Sequence, residues 1–224
     1  MSRTSLAETA YRELIRMILE GQLKPGDTLQ EVKLCEVLGM SRTPVREAIG
    51  RIDSDGLAEQ KGRFFRVRRI TAEEIDEIFF LRLALEPACA RNAAGRMDVA
   101  RLHALEVAVR ALLESGPGQD DLQWHVDQDL HLAFAGASGN APMVRVIAEL
   151  HRRTCIYDHR VVPERFAEGC AEHLALIEAV RSGDGAGAEA LMTAHLTQAR
   201  DAIVTHLAGA DSAATDITER TAGT

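Results

Sequence analysis

The sequence predicts a mainly α protein in two parts: an N-terminal winged helix-turn-helix, followed by an antiparallel all-helical bundle. Three observations predict it. Short amphipathic stretches broken by glycine turns fill the first 54 residues and lead into a pair of short β-prone runs. Longer stretches of helical periodicity, with few alternating β-branched runs, occupy the remainder. The charge divides at the same place. Residues 1–69 carry 13 Lys/Arg against 10 Asp/Glu, whereas residues 70–224 carry 13 against 24. The net charge of -8 therefore averages a basic module and an acidic one.

The elements follow in order. Leu6, Leu14, Ile15, Ile18 and Leu19 give one apolar face to a helix from Ser5 to Leu19, which Glu20-Gly21 ends. Lys24-Pro25-Gly26-Asp27 reads as a turn. A second helix spans Glu31 to Leu38 and is closed by Gly39. The third enters at Ser41, a suitable N-cap, and runs to Ser54, with Pro44 in its first turn where a missing N–H costs little. Asp55-Gly56 stops it. Leu57-Ala58-Glu59 then predicts a strand, Lys61-Gly62-Arg63 a tight turn, and Phe64 to Val67 the returning strand. Thr71 with Glu74 three residues on is a capping-box signature. Helices are expected after it over 72–94, 98–115, 121–137, 140–159, 163–182 and 185–208. The expected domains are thus 1–69 and 70–208. Residues 209–224 are small and polar, have no hydrophobic period, and read as a frayed, disordered tail.

Several classes are excluded at this level. The four cysteines, Cys35, Cys89, Cys155 and Cys170, are widely spaced and form no CxxC pair, which suits buried thiols in a reducing compartment. No run approaches the length of an uninterrupted apolar membrane span, and the start has no apolar signal stretch. A cytoplasmic protein without a membrane segment is expected.

Two groups of residues carry chemistry. In the third helix, Val45, Ala48, Ile49 and Ile52 can pack inward while Arg42, Thr43 and Arg46 face outward near its start. Arg42 and Arg46 are four apart and share a face. An arginine grips guanine O6 and N7 with two donors, and Ser41 or Thr43 serves a phosphate. Lys33, Arg51, Arg66 and the wing-tip residues Lys61, Gly62 and Arg63 can extend the contacts along double-stranded DNA. The alternative for the arginines is an ordinary solvated helix start, with Arg46 paired to Glu47 or Asp53. In the body, Asp127 and His131 stand four apart on one helix, and His173 and His195 lie on later ones. One carboxylate and three imidazoles suit a divalent ion of borderline softness. Spacing alone leaves hydrogen-bonded core histidines as the other reading.

Residues 6–69 resemble the GntR family of bacterial transcription regulators. The resemblance is carried by Leu23-Lys24-Pro25-Gly26-Asp27-Thr28-Leu29, Glu31, Leu38 through Ile49, and Asp55-Gly56-Leu57. Residues 71–208 are similar to the all-helical effector-binding FCD domain of the FadR-type branch. Here the matching segments are Leu81 through Glu86, Val126-Asp127-Gln128-Asp129-Leu130-His131, Gly139-Asn140, Glu172-His173 and His195. Two positions depart: Phe64 stands where a second wing glycine is common, and Leu130 where Phe is frequent. The resemblance implies a homodimer that reads near-palindromic operator DNA through Arg42 and Arg46. It implies a ligand-responsive regulator, most often a repressor, and not an enzyme. It also implies a metal held by Asp127, His131, His173 and His195, which helps capture a small organic carboxylate effector. Zinc is the expected ion, with nickel or manganese as alternatives. Arg82 and Arg145 are the candidates for gripping that carboxylate, because a guanidinium fork fits two oxygens. Their alternatives are a surface salt bridge or pairing with Glu86 or Glu149.

Overall fold

Helix α1 (Leu6–Leu19) starts where Ser5 Oγ accepts the Glu8 N–H at 3.1 Å. Its buried face of Ala10, Leu14, Ile15 and Ile18 packs on the third helix. Helix α2 (Glu31–Leu38) ends at Gly39, whose φ of 62° lies in the left-handed region that glycine occupies without strain. Helix α3 (Arg42–Ser54) buries Pro44, Val45, Ala48, Ile49 and Ile52, a spacing that keeps one face inward. Ser41 is its N-cap by position, in extended conformation, but makes no side-chain capping hydrogen bond. Tyr11 donates to Asp55 Oδ2 at 2.6 Å, clipping α1 to the end of α3. The computed structural model describes residues 5–118 and 120–222.

The wing is the antiparallel pair β1 (Ala58–Lys61) and β2 (Phe64–Val67), turned by Gly62 at φ 64°. β1 starts one residue later than expected, because the Leu57 N–H is taken by Ile52 O and its carbonyl by Arg68 N. The segment expected only as a turn does more. Gly26 N bonds Val67 O at 2.8 Å, Val67 N bonds Asp27 O at 2.9 Å, and Leu29 N bonds Phe65 O at 2.8 Å. It thus lines the outer edge of β2, with Thr28 bridged to Arg66. Pro25-Gly26 hides this pairing from a local reading, since the partner lies about 40 residues on.

Six helices form the second unit: α4 (Ala72–Ala93), α5 (Val99–Ser115), α6 (Asp120–Ala137), α7 (Ala141–Val161), α8 (Phe166–Ser182) and α9 (Gly185–Ala222). A 3-10 turn at Pro163–Arg165 precedes α8, where a continuous helix from 163 was expected. Thr71 Oγ1 caps α4 by accepting from Glu74 N at 3.2 Å, and Asn140 Oδ1 caps α7 by accepting from Met143 N at 3.1 Å. α4 packs chiefly against α9, α6 against α7 and α4, and α5 against α8. Phe79, Leu105, Leu130, Phe134, Leu176, Leu196 and Ile203 are almost wholly buried in one core. Each contributes on the order of 1.5–3 kcal/mol by leaving water. The backbone of α9 continues past Ala208 to Ala222, through alanine-containing sequence that has no proline or glycine after Gly209.

The chain divides into Met1–Arg69 and Ile70–Thr224, at the point where the charge changes. Among the described residues no helix is long and apolar enough to cross a membrane. Cys89 and Cys170 are buried free thiols and Cys35 is a half-buried one; the Cys155 side chain lies outside the described residues.

Candidate metal centre and nucleic-acid interface

On α3 the inward stripe leaves Arg42, Thr43 and Arg46 exposed beside Ser41, and Lys33 is exposed on α2. Lys61, Gly62 and Arg63 are exposed at the wing tip, with the Arg63 guanidinium 4.7 Å from the Phe64 ring centre and Lys61 2.7 Å from Glu59. Arg46 pairs with neither Glu47 nor Asp53. Its Nε and Nη2 donate to the two oxygens of Glu31 at 3.0 and 2.8 Å, and the side chain stays 72% exposed. Glu31 thereby sets the direction of a guanidinium that remains exposed to solvent. Arg51 is engaged elsewhere: it pairs with Glu8 and lies 3.8 Å over the Tyr11 ring. The Arg66 guanidinium donates to Gly26 O at 3.1 Å.

In the bundle, three helices bring four donors together. Asp127 and His131 come from α6, His173 from α8 and His195 from α9. One ligand atom from each lies within 4.8 Å of all the others, and all four residues are buried. The outer ring nitrogens of two histidines are held by carboxylates. His131 Nδ1 meets Glu86 Oε2, and His195 Nδ1 meets Glu172 Oε2 at 2.7 Å. Each carboxylate is anchored by an arginine. Arg82 donates to Glu86 at 2.6 Å and to Thr154 Oγ1 at 2.9 Å; Arg165 donates to both oxygens of Glu172 at 2.9 and 3.0 Å. This leaves Nε2 of His131 and of His195 as the nitrogens available to a ligand. Among the described residues, His131 Nε2 and His173 Nε2 are buried without a hydrogen-bond partner, although they lie 3.6 and 3.1 Å from Asp127 Oδ1. Leaving such atoms unpaired costs about 1–3 kcal/mol each. A divalent cation, which takes imidazole lone pairs and a carboxylate oxygen together, removes that cost. The residues fit a metal.

The protonation states follow from burial and neighbours. Burial disfavours charge on Asp127, yet the neighbouring His151 and His131 hold its carboxyl well below the usual carboxylate range. Burial likewise opposes ionisation of Glu86, and Arg82 and His131 reverse it, so that carboxyl is also lowered. Burial pushes His195 down to about 4 against its bond to Glu172. Burial also works against charge on His131, but Glu86 and Asp127 outweigh it and raise the ring to about 9. His195 is therefore a neutral imidazole at pH 7, able to offer a lone pair, whereas His131 would have to give up a proton to do so.

A cavity of about 30 Å³ opens beside the donors, enough for a water-sized group. Asp127, His173, His195, Arg165, Gln123 and Phe166 are among its lining residues. Neither Arg82 nor Arg145 is. Arg82 is locked in its buried bridge to Glu86. Arg145 is exposed on α7, two residues before the buried Ile147 and so on roughly the opposite side of the helix.

The family model for the FCD domain matches residues 77–198, and that for bacterial regulatory proteins of the gntR family matches residues 6–64. The chain belongs to the GntR family and carries an FCD domain. The HTH-type transcriptional regulator LutR of Bacillus subtilis is 30% identical to it over 214 residues, covering 84% of this chain and 96% of LutR. The probable D-xylose utilization operon transcriptional repressor of Paenarthrobacter nicotinovorans is 27% identical over 218 residues, 95% of each chain. Among solved structures, that of E. coli McbR/YncC superposes with a TM-score of 0.74 at 26% identity, covering 91% of this chain and 98% of its own. This GntR-family protein is a transcription regulator and not an enzyme.

In this regulator the structure brings together all four residues singled out as metal donors. It also supplies residues that the sequence reading did not assign to the site. Glu86 and Glu172 orient the two histidines, and Arg165 stands on the cavity. His151 on α7 is fully buried, with Nε2 2.7 Å from Asp127 Oδ2, and burial lowers its pKa to about 4. A sequence signal existed for His151, which lies four residues after Ile147 on the inward phase of α7. No comparable signal existed for Arg165, whose position depends on the 3-10 turn between α7 and α8.

Proposed function

We propose that this GntR-family regulator is a homodimeric repressor whose affinity for operator DNA is changed by a small organic carboxylate bound beside a divalent metal. The observation that carries the reading is the buried Asp127, His131, His173 and His195 cluster, in which two imidazole nitrogens have no hydrogen-bond partner among the described residues. Three imidazoles and one carboxylate favour zinc, with nickel or manganese able to take the same donors. The bound ion supplies a positive centre for an anionic ligand. Asp127, His131, His173 and His195 would hold it, while Glu86 and Glu172 fix the ring orientations. Relatives support an effector from carbon metabolism. The putative L-lactate dehydrogenase operon regulatory protein of Escherichia coli is 29% identical over 235 residues.

At the DNA, Arg42 and Arg46 would read base edges, and Lys33, Ser41, Thr43, Lys61, Gly62 and Arg63 would fix the register on the backbone. Two copies would face a near-palindromic operator. Phe80 and Leu81, adjacent on α4 and 73% and 45% exposed, support a self-complementary contact. The short link from Val67 through Thr71 into α4 would carry the change between the units. Ligand acts only through unequal affinity for the two arrangements. The test is fluorescence anisotropy of operator DNA with zinc-loaded and chelator-stripped protein, with and without carboxylate, alongside elemental analysis of the purified protein. Operator affinity that is indifferent to both metal and carboxylate refutes the reading.

A further inference from the structure

Two arginine–glutamate–histidine chains end on the donor cluster, and they differ in one respect. In the Arg82–Glu86–His131 chain the side chains are 5%, 2% and 0% exposed, so the guanidinium is sealed in protein. In the Arg165–Glu172–His195 chain they are 11%, 20% and 4% exposed. Arg165 also lines the cavity shared with Asp127, His173 and His195. The first chain is a strut. The second has its arginine where a ligand would arrive.

We propose that Arg165 captures the carboxylate of the effector, in competition with Glu172, and that the effector is a short monocarboxylate. This rests on the metal-and-carboxylate reading above and assigns its recognition chemistry. Arg165 already holds one carboxylate, using Nη2 on both oxygens of Glu172, and an incoming anion offers the guanidinium an equivalent partner. Arg165 is the only Lys or Arg in the described lining, so once one carboxylate is shared between Arg165 and the ion, a second would have no further cation and would face Asp127 or the apolar wall of Leu112, Val162 and Phe166. That wall suits hydrocarbon, and a volume of about 30 Å³, room for a water-sized group or two, favours the shortest acids and requires the walls to give for longer ones. As the anion draws Arg165 away, Glu172 is left to His195 Nδ1 alone, which makes that ring a better donor at Nε2. Anion capture and ion affinity are then coupled, and by linkage each strengthens the other by the same factor.

The test uses the full-length protein and isothermal titration with zinc and, separately, with acetate, lactate and succinate. Zinc-loaded wild type is expected to bind acetate and lactate more tightly than succinate. Arg165→Ala should weaken acetate and lactate by about 10- to 100-fold, the worth of a charge-assisted hydrogen bond or two. Its zinc affinity without carboxylate should not fall below that of wild type, because Glu172 is then left to His195 alone. Arg165→Lys, which keeps the charge but not the fork, should fall between and guards against a folding defect in the alanine variant. Arg145→Ala should behave as wild type. Undiminished carboxylate binding by Arg165→Ala overturns the assignment while leaving the metal-and-carboxylate reading intact. Equal loss of zinc and carboxylate makes Arg165 a positioning residue and overturns it too. Tighter binding of succinate than of acetate overturns the monocarboxylate class. A zinc-loaded wild type that binds none of the three overturns both this inference and the reading beneath it.

Discussion

Replacing Glu86 separates what the fold requires from what the metal requires. Its carboxylate is 2% exposed, accepts from Arg82 at 2.6 Å, and meets His131 Nδ1. Glu86→Gln keeps the volume and removes the charge, leaving the Arg82 guanidinium buried with a weakened partner. Breaking a buried pair in this way costs about 3–5 kcal/mol. That is a large share of the roughly 5–15 kcal/mol available to a folded domain. With an m-value of about 1–3 kcal/mol/M in urea, the unfolding midpoint of the metal-free protein should fall by about 1–5 M. Trp124 is the single tryptophan and is buried in the bundle, so its fluorescence reports this unit. The same substitution removes the anchor of His131 and should weaken zinc by about 10- to 100-fold. A double variant, Arg82→Met with Glu86→Leu, replaces both charges by apolar groups and should recover most of the stability but none of the zinc affinity. A single variant with an unchanged midpoint refutes the strut; a double variant with wild-type zinc affinity refutes the role of Glu86 in orienting His131.

The remaining predictions concern pH, DNA and assembly. Because the His131 ring is held protonated up to about pH 9 without metal, zinc uptake near pH 7 should release about one proton, detectable by titration in buffers of different ionisation heat; zinc affinity should rise toward pH 9. The raised pKa of His131 also stabilises the metal-free fold, fully below the unfolded value of about 6.5 and progressively less as pH climbs through 9, which urea midpoints across that range would follow. Arg46→Ala should weaken operator binding by about 1–3 kcal/mol in anisotropy, whereas Arg51→Ala, whose side chain is held by Glu8 and Tyr11, should mainly lower the stability of the N-terminal unit. Phe80→Asp should shift the protein to monomer in analytical ultracentrifugation and weaken operator binding with it.

Much of this was legible in the chain itself, and the boundary has a physical cause. The apolar period placed the helices to within a residue or two at most ends, because burial of one face is a local property of the sequence. Glycine marked the turn at Gly39 and the wing tip at Gly62, where the backbone enters the left-handed region. Asp127 and His131 share a face because they are four apart on α6, and the family resemblance supplied His173 and His195 as their partners. Pairings between distant segments were not legible. The edge contributed by Gly26 to Leu29, the tie from Arg46 to Glu31 and the removal of Arg51 to α1 each join residues that no local period relates.

The sequence by itself determined the kind of protein: a basic winged head, an acidic helical body and four residues that could serve a metal. Only the tertiary structure decided where each arginine of the body stands. Arg82, Arg145 and Arg165 are chemically identical side chains, yet one is sealed against Glu86, one is exposed on α7 and one lines the cavity beside the donors. The difference is burial and neighbourhood, and those are set by how six helices pack rather than by any residue alone.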